Sequence, residues 1–367
     1  MKSLRFNRKD NPEFIKELRK NVNQYFKDNN ISKHANLAMV IKTLFMVSLY
    51  FSPLVLMLTG VVTSFWGTMA MWTIMGFGMA GIGLSVMHDA NHGAYSNKKW
   101  VNKLLGFLAN FLGAYHINWK IQHNVLHHSF TNVDGMDDDI ANPVMRFSPI
   151  QKKKWIFKFQ AFYAPFFYSI MTLYWFLGKD FVQLIRYNKE DLLIREGMTF
   201  KKALSHLIFN KVWYIALTIA LPIILIDLPW WQIMIGFVFM QMICGLLLAL
   251  IFQTAHVIEE TSFYEPAQTG TSMENNWAIH QLKTTANFAH KSVLLSWFIG
   301  GLNYQIEHHL FPNICHIHYK KLSEIVKKTA EDYNIPYYQH TTFAHALKSH
   351  FSMLNQLGTG AYDKKVA

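Results

Sequence analysis
The chain has 367 residues, of which 51% are hydrophobic, 15% aromatic and only 16% charged, against roughly 25% charged in a soluble domain. That balance excludes a pair of ordinary soluble domains and reads as an integral membrane protein with one core. The net charge of +12 is no sign of nucleic acid, because Lys and Arg collect beside the apolar runs, where they meet anionic headgroups and set topology.

Residues 1–35 are basic and polar with alternating charges. They predict a cytosolic arm or short surface helix, not a cleaved signal peptide. Residues 37–59 carry one charge, Lys42, and are long enough to span a bilayer. A short uncharged turn leads to a second span, 64–87, where Gly76, Gly78, Gly81 and Gly83 allow close helix packing. His88-Asp89-Ala90-Asn91-His92 follows at once. His88 and His92 are four apart, so a helix stacks them on one face. Residues 97–121 combine Lys98, Lys99 and Lys103 with Leu104, Leu105, Phe107, Leu108 and Phe111, the pattern of a helix lying on the membrane. The second cluster, His123-Asn124-Val125-Leu126-His127-His128, comes next, then an acidic loop with Asp134, Asp137, Asp138 and Asp139.

Residues 155–178 are apolar and aromatic but contain Lys158 and Pro165. A crossing there would put the later clusters on the wrong side, so they are placed on or partly in the interface. Residues 207–226 and 231–255 are the third and fourth spans, with Lys211 near the start of one and His256 just past the end of the other. Trp230 and Trp231 suit an interface. Residues 292–302 are apolar but too short to span, and Gln305-Ile306-Glu307-His308-His309 follows. The tail from 319 reads as soluble and helical. Four spans in two hairpins put both termini and all three clusters on one side. The opposite turns have no Lys or Arg, which makes the cluster side cytoplasmic. The expected fold is therefore an all-α integral membrane protein with a cytosolic helical cap. It divides into an N-terminal arm (1–35), a membrane domain (36–330) and a C-terminal tail (331–367).

Eighteen histidines are the outlier of the composition. His88, His92, His123, His127, His128, His256, His308 and His309 sit where apolar runs end, and Gln305 is a candidate ninth member with a catalytic role. Polar clusters at membrane exits are costly unless they bind something. Eight imidazoles suggest two metals, since one ion takes four to six ligands. A nitrogen-rich set suits iron, zinc, copper or nickel, and spacing alone does not separate them. His116, His280, His290, His316 and His318 lack a matching pattern and read as structural or supporting residues. The acidic loop, Glu259, Glu260 and Glu307 read as solvated or as orienters of ligands. Cys244 and Cys315 suggest neither a disulfide nor a thiolate site.

The three clusters, in this order and ending in Gln305-Ile306-Glu307-His308-His309-Leu310-Phe311-Pro312, resemble the membrane fatty acid desaturases. The Gln that opens the third box is similar to the front-end branch, which includes delta-5 and delta-6 acyl desaturases and linoleoyl-CoA desaturase-like bacterial proteins. The resemblance runs from about residue 35 to 330. It implies four spans, a cytosolic cap and two non-haem irons held by the boxes and one further histidine near the fourth span, a role that falls on His256. It also implies use of O2 and two external electrons to remove two hydrogens from a fatty acyl chain, carried by CoA or a lipid. Many eukaryotic front-end members carry a fused haem domain with His-Pro-Gly-Gly, which this sequence lacks. The implied electron donor is a separate ferredoxin or cytochrome b5-like protein, and the implied location a bacterial inner membrane. Phe252 stands one turn before His256, where some members use Asn to hold a metal-bound water. The alternatives are a related di-iron hydroxylase or epoxygenase, and a zinc-dependent membrane hydrolase.

Overall fold
The computed structural model describes residues 4–265 and 272–366. Nearly all regular structure is helical, apart from a pair of three-residue parallel strands, Ala286–Phe288 with Tyr338–His340. Among the described residues, four helices are long and apolar enough to cross a membrane: Leu37–Leu58, Phe65–Asn91, Phe200–Leu225 and Trp230–His256. The third begins seven residues before the expected 207, where Thr199 accepts from the Lys202 N–H and starts the helix. The second runs four residues past 87 and takes His88 with it.

The chain divides into two compact units. One comprises residues 36–121 and 165–249. Here the glycines expected to allow close packing do so. A Cβ on Gly78 would lie 2.6 Å from the Tyr50 backbone nitrogen, and one on Gly76 3.0 Å from the Met240 carbonyl oxygen. Side-chain bulk is therefore excluded where helix backbones meet. Lys211 is buried, yet its ammonium donates to Asp180 Oδ2 (2.6 Å), Gly113 O (2.6 Å) and Trp175 O (3.1 Å). All three donors of the buried cation are used. The surface helix expected over 97–121 is shorter than its pattern suggests. Lys99–Gly106 is helical and exposes Trp100 and Leu104. The chain then tightens over Phe107–Leu112, and Phe111 packs between Phe51 and Trp213.

The other unit is assembled from residues 4–35, 122–164 and the described part of 250–366. Its apolar core joins Phe14, Leu18 and Val22 of helix Pro12–Asp28 to Leu322, Val326 and Ala330 of helix Tyr319–Asp332. The N-terminal arm is thus built into this core. Helix Phe343–Thr359 is anchored through His350, whose Nδ1–H donates to Val257 O at 2.7 Å, and through Ser349, Ser352 and Gln356, which bond Glu260 or Glu259. Residues 155–178 form no single rod. They divide into Trp155–Phe159, Gln160–Ser169, Met171–Tyr174 and a wide turn at Trp175–Lys179.

Candidate metal centre
The first box closes helix Phe65–Asn91, after a π-helical turn at Ile82–Val86. His88 is in the last helical turn and His92 is the residue that caps it. Their rings lie 4.8 Å apart and both pack edge-on against Trp119. Spacing four therefore does bring the two imidazoles together. Asn91 is tied back by its side-chain donor to Gly106 O at 3.2 Å.

The second box lies on a wider π-helical turn, Ile121–His127, a feature that clusters at functional sites. His123 and His127 stack with centroids 5.4 Å apart. The acidic loop returns beneath them. His127 Nδ1–H donates to Asp137 (3.1 Å to each oxygen), and Asp137 also accepts from the Asn132 and Asp139 N–H groups. Asn132 makes this return possible by taking a left-handed φ of 56°. Burial opposes a charge on His127, but Asp137 and Asp139 outweigh it and push its pKa up to about 9. Asp139 also accepts from Gln122 and lies 3.4 Å from His127 Nδ1.

The third box is the short helix Gln305–Leu310, reached through a reversal at Gly300 and Gly301, both with φ of 66°. Asn287 holds its first turn, accepting from Ile306 N at 2.9 Å and donating to Glu307 Oε2 at 2.8 Å. Tyr337 donates to Glu307 Oε1 at 3.0 Å. Burial pushes the Glu307 carboxyl up to about 7, with those two donors pulling against it. His256 ends helix Trp230–His256, and its Nδ1–H donates to the Thr284 carbonyl at 3.1 Å. His309 Nδ1 lies 2.8 Å from Gln281 Oε1, and the amide of that residue donates to His128 O. Thr284 and Gln281 belong to helix Trp277–Thr284, which has no metal-ligand pattern in its sequence.

These tethers decide where the other ring nitrogens go. His128 Nε2 lies 3.2 Å from His123 Nε2 and 2.9 Å from His308 Nε2. Two nitrogens each about 2.0–2.1 Å from one first-row ion are themselves roughly 3 Å apart, so this is ligand spacing. One ring nitrogen from each of His127, His256 and His309 also falls within 4.8 Å of the others. Nε2 of His127 and of His256 is buried with no hydrogen-bond partner among the described residues. Each of those rings spends its Nδ1–H on an oxygen, so the neutral imidazole carries its lone pair on Nε2, and on His127 a metal ion would take the place of the second proton that Asp137 and Asp139 favour. A buried acceptor without a donor is expensive, and a cation satisfies both at once. The donor set therefore fits transition-metal ions.

Gln305 opens the third box with its amide buried and without a hydrogen-bond partner among the described residues. His280 and His116 are engaged elsewhere, on Thr131 O and on the Asn110 side chain. Phe252 packs its ring 5.8 Å from that of His123, so an apolar edge stands at this site. Sequence reasoning missed Thr284, Gln281, Asn287, Tyr337 and Tyr319, whose hydroxyl lies 3.2 Å from His308 Nδ1. Their types are common and their distances along the chain unremarkable, so no signal marked them.

The fatty acid desaturase family profile matches residues 63–341. The chain belongs to that family. It is 34% identical over 354 residues to the sn-1 linoleoyl-lipid 6-desaturase of Arthrospira platensis, covering 96% of this chain and 95% of that one. The enzyme of the same name from Synechocystis sp. is also 34% identical, over 94% and 95% of the two chains. An acyl-lipid (8-3)-desaturase of Physcomitrium patens is 32% identical over 95% of this chain and 72% of its own length. This desaturase is thus an oxidoreductase of the lipid-modifying kind, a membrane protein with four apolar helices and a metal-competent histidine cluster.

Proposed function
We propose that this desaturase inserts a cis double bond into an acyl chain carried on a membrane lipid, on the carboxyl side of an existing double bond. The names of the relatives from Arthrospira and Synechocystis support that choice of carrier and position. The eight histidines 88, 92, 123, 127, 128, 256, 308 and 309 are proposed to hold two non-haem irons, with Gln305 beside them. The observation that carries this is the pair of buried, donor-less Nε2 atoms on His127 and His256, grouped with His309.

Iron at such a site supplies the oxidising power to take hydrogen from an unactivated methylene, which no side chain can remove as an acid. The balance is one O2, two electrons and two protons consumed, with two hydrogens leaving the chain and two waters formed. Asp137, Thr284 and Gln281 fix the tautomers and ring planes of His127, His256 and His309, so each presents a lone pair without reorganising. Neighbouring methylenes are chemically alike, so the protein must select one by position. The electrons are proposed to come from a ferredoxin or cytochrome b5-like protein. The four spans are proposed to form two hairpins in a bacterial inner membrane, with the histidines facing the cytoplasm, because the two opposite turns lack Lys and Arg.

The test is lipid analysis of a host that expresses the enzyme with a compatible donor and is fed mono- and diunsaturated acids. A new double bond between the carboxyl group and an existing one is expected. Hydroxylated or epoxidised products would overturn the desaturation step. His128→Ala and His308→Ala are expected to lose both bound iron and product while still inserting in the membrane. Full iron content in both variants would overturn the ligand set.

A further inference from the structure
From Ile140 through Lys179 the chain contains no Asp or Glu, while Lys152, Lys153, Lys154 and Lys158 are clustered and exposed. The segment that follows the first three has two apolar faces. Phe157, Gln160, Ala164 and Tyr168, spaced three and four apart, are buried. Gln160 fixes that side by accepting from Arg146 N at 2.8 Å and donating to Leu354 O at 2.7 Å. Gly358 lets helix Phe343–Thr359 lie against the Phe157 carbonyl, where a Cβ would sit only 2.0 Å from the oxygen. Trp155, Phe159, Phe162 and Phe166, spaced four, three and four apart, form the opposite face, and all are exposed. Phe162 is 90% exposed and Trp155 75%. An aromatic face of that size costs free energy in water.

We infer that residues 152–166 seat the enzyme on anionic lipid headgroups, the four lysines meeting phosphates and the aromatic face entering the interface. The occupant is identified by chemistry. Aromatic rings flanked by Lys are the composition of a membrane-interface belt, and juxtamembrane lysines are drawn to anionic leaflets. Two of the ammonium groups spend one donor on the protein, Lys153 on Thr359 O and Lys154 on Pro143 O; each keeps two for phosphate oxygens. Lys158 lies over the Phe159 ring at 4.8 Å, so cation and aromatic are presented together. A docked acidic protein would use the lysines but would leave Phe162 without an apolar partner of matching depth. The inference rests on the membrane reading and not on the metal.

The test uses the full chain as Phe162→Cys carrying a nitroxide, since Cys244 and Cys315 are fully buried. Lys320→Cys, on the exposed side of helix Tyr319–Asp332, is the reference position. Collision with O2 and with a water-soluble nickel chelate is compared in nanodiscs of phosphatidylcholine alone and with phosphatidylglycerol added. The label at 162 is expected to lose nickel collisions several-fold when phosphatidylglycerol is present, while the label at 320 stays open. Replacing all four lysines by Gln is expected to remove that lipid-dependent loss. Equal nickel access at 162 and 320, or shielding indifferent to phosphatidylglycerol, would overturn the inference. Shielding that appears only on adding an acidic ferredoxin would assign the face to a protein and overturn it too. The readout needs neither iron nor turnover, so it stands apart from the test of desaturation.

Discussion
Single side chains set the proton positions and ring orientations of these histidines. Asp137 takes the His127 Nδ1–H and is itself held by two backbone N–H groups, so its geometry does not depend on the metal. Asp137→Asn keeps the size and loses the charge. It is expected to cost about 10–100-fold in iron affinity or activity, measured as iron per chain at limiting metal. His350 makes a separable prediction. Burial pushes its pKa down to about 4, opposed by its hydrogen bond to Val257 O. The unfolded chain protonates this group below about 6.5, whereas the native fold does not until about 4. Its contribution is therefore intact above pH 6.5 and lost as the pH falls towards 4, by about 3 kcal/mol. His350→Gln retains a donor for Val257 and is expected to lose less thermal stability than the parent between pH 7 and 4. His280 and His116 are pushed down to about 4 by burial as well, so the variant removes only part of the acid sensitivity.

At the scale of elements, close approach is bought with missing side chains. Helix Phe343–Thr359 meets the Phe157 carbonyl at Gly358, whereas a Cβ on Gly178 would have its nearest neighbour, the Tyr174 ring, at 3.8 Å. Gly358→Ala is expected to destabilise by about 1–3 kcal/mol or more through overpacking, while Gly178→Ala is expected to be close to neutral. Thermal unfolding of the two variants in detergent checks the contrast. The π-helical turns at 82–86 and 121–127 belong to the same scale. They alter the register around two of the histidine boxes, and nothing in the residue types at those positions announces them. Composition, with Lys158 and Pro165 against a crossing, gave only the expectation that residues 155–178 lie at the interface; their division into short pieces was not legible, because Arg146, Leu354 and Gly358 fix that path from outside the segment.

At the scale of the molecule, the unit that holds six of the eight histidines is built from three separated stretches of chain. Its core needs the N-terminal helix, and its metal-box helix is braced by Tyr337 through Glu307. Ending the chain after His340 removes helix Phe343–Thr359, which contacts Val257, Glu259, Glu260 and Phe157. That truncation is expected to abolish the folded, monodisperse protein in detergent as judged by size-exclusion chromatography. A fully folded truncation with normal iron binding would mean the tail is dispensable.

The sequence by itself determined the class of the protein. Apolar runs of bilayer length must become helices, since an unsatisfied backbone is intolerable in lipid. Histidines grouped at the ends of such runs must bind something to justify their burial. Those two constraints are local, so periodicity and spacing expose them. The partners that orient each imidazole came only with the tertiary structure: Asp137 for His127, Thr284 for His256, Gln281 for His309. A carbonyl or an amide oxygen becomes a second partner by where the chain brings it, and its residue type carries no mark of that. The convergence of His123, His128 and His308 on nitrogens about 3 Å apart is likewise a property of folded space, 180 residues apart along the chain.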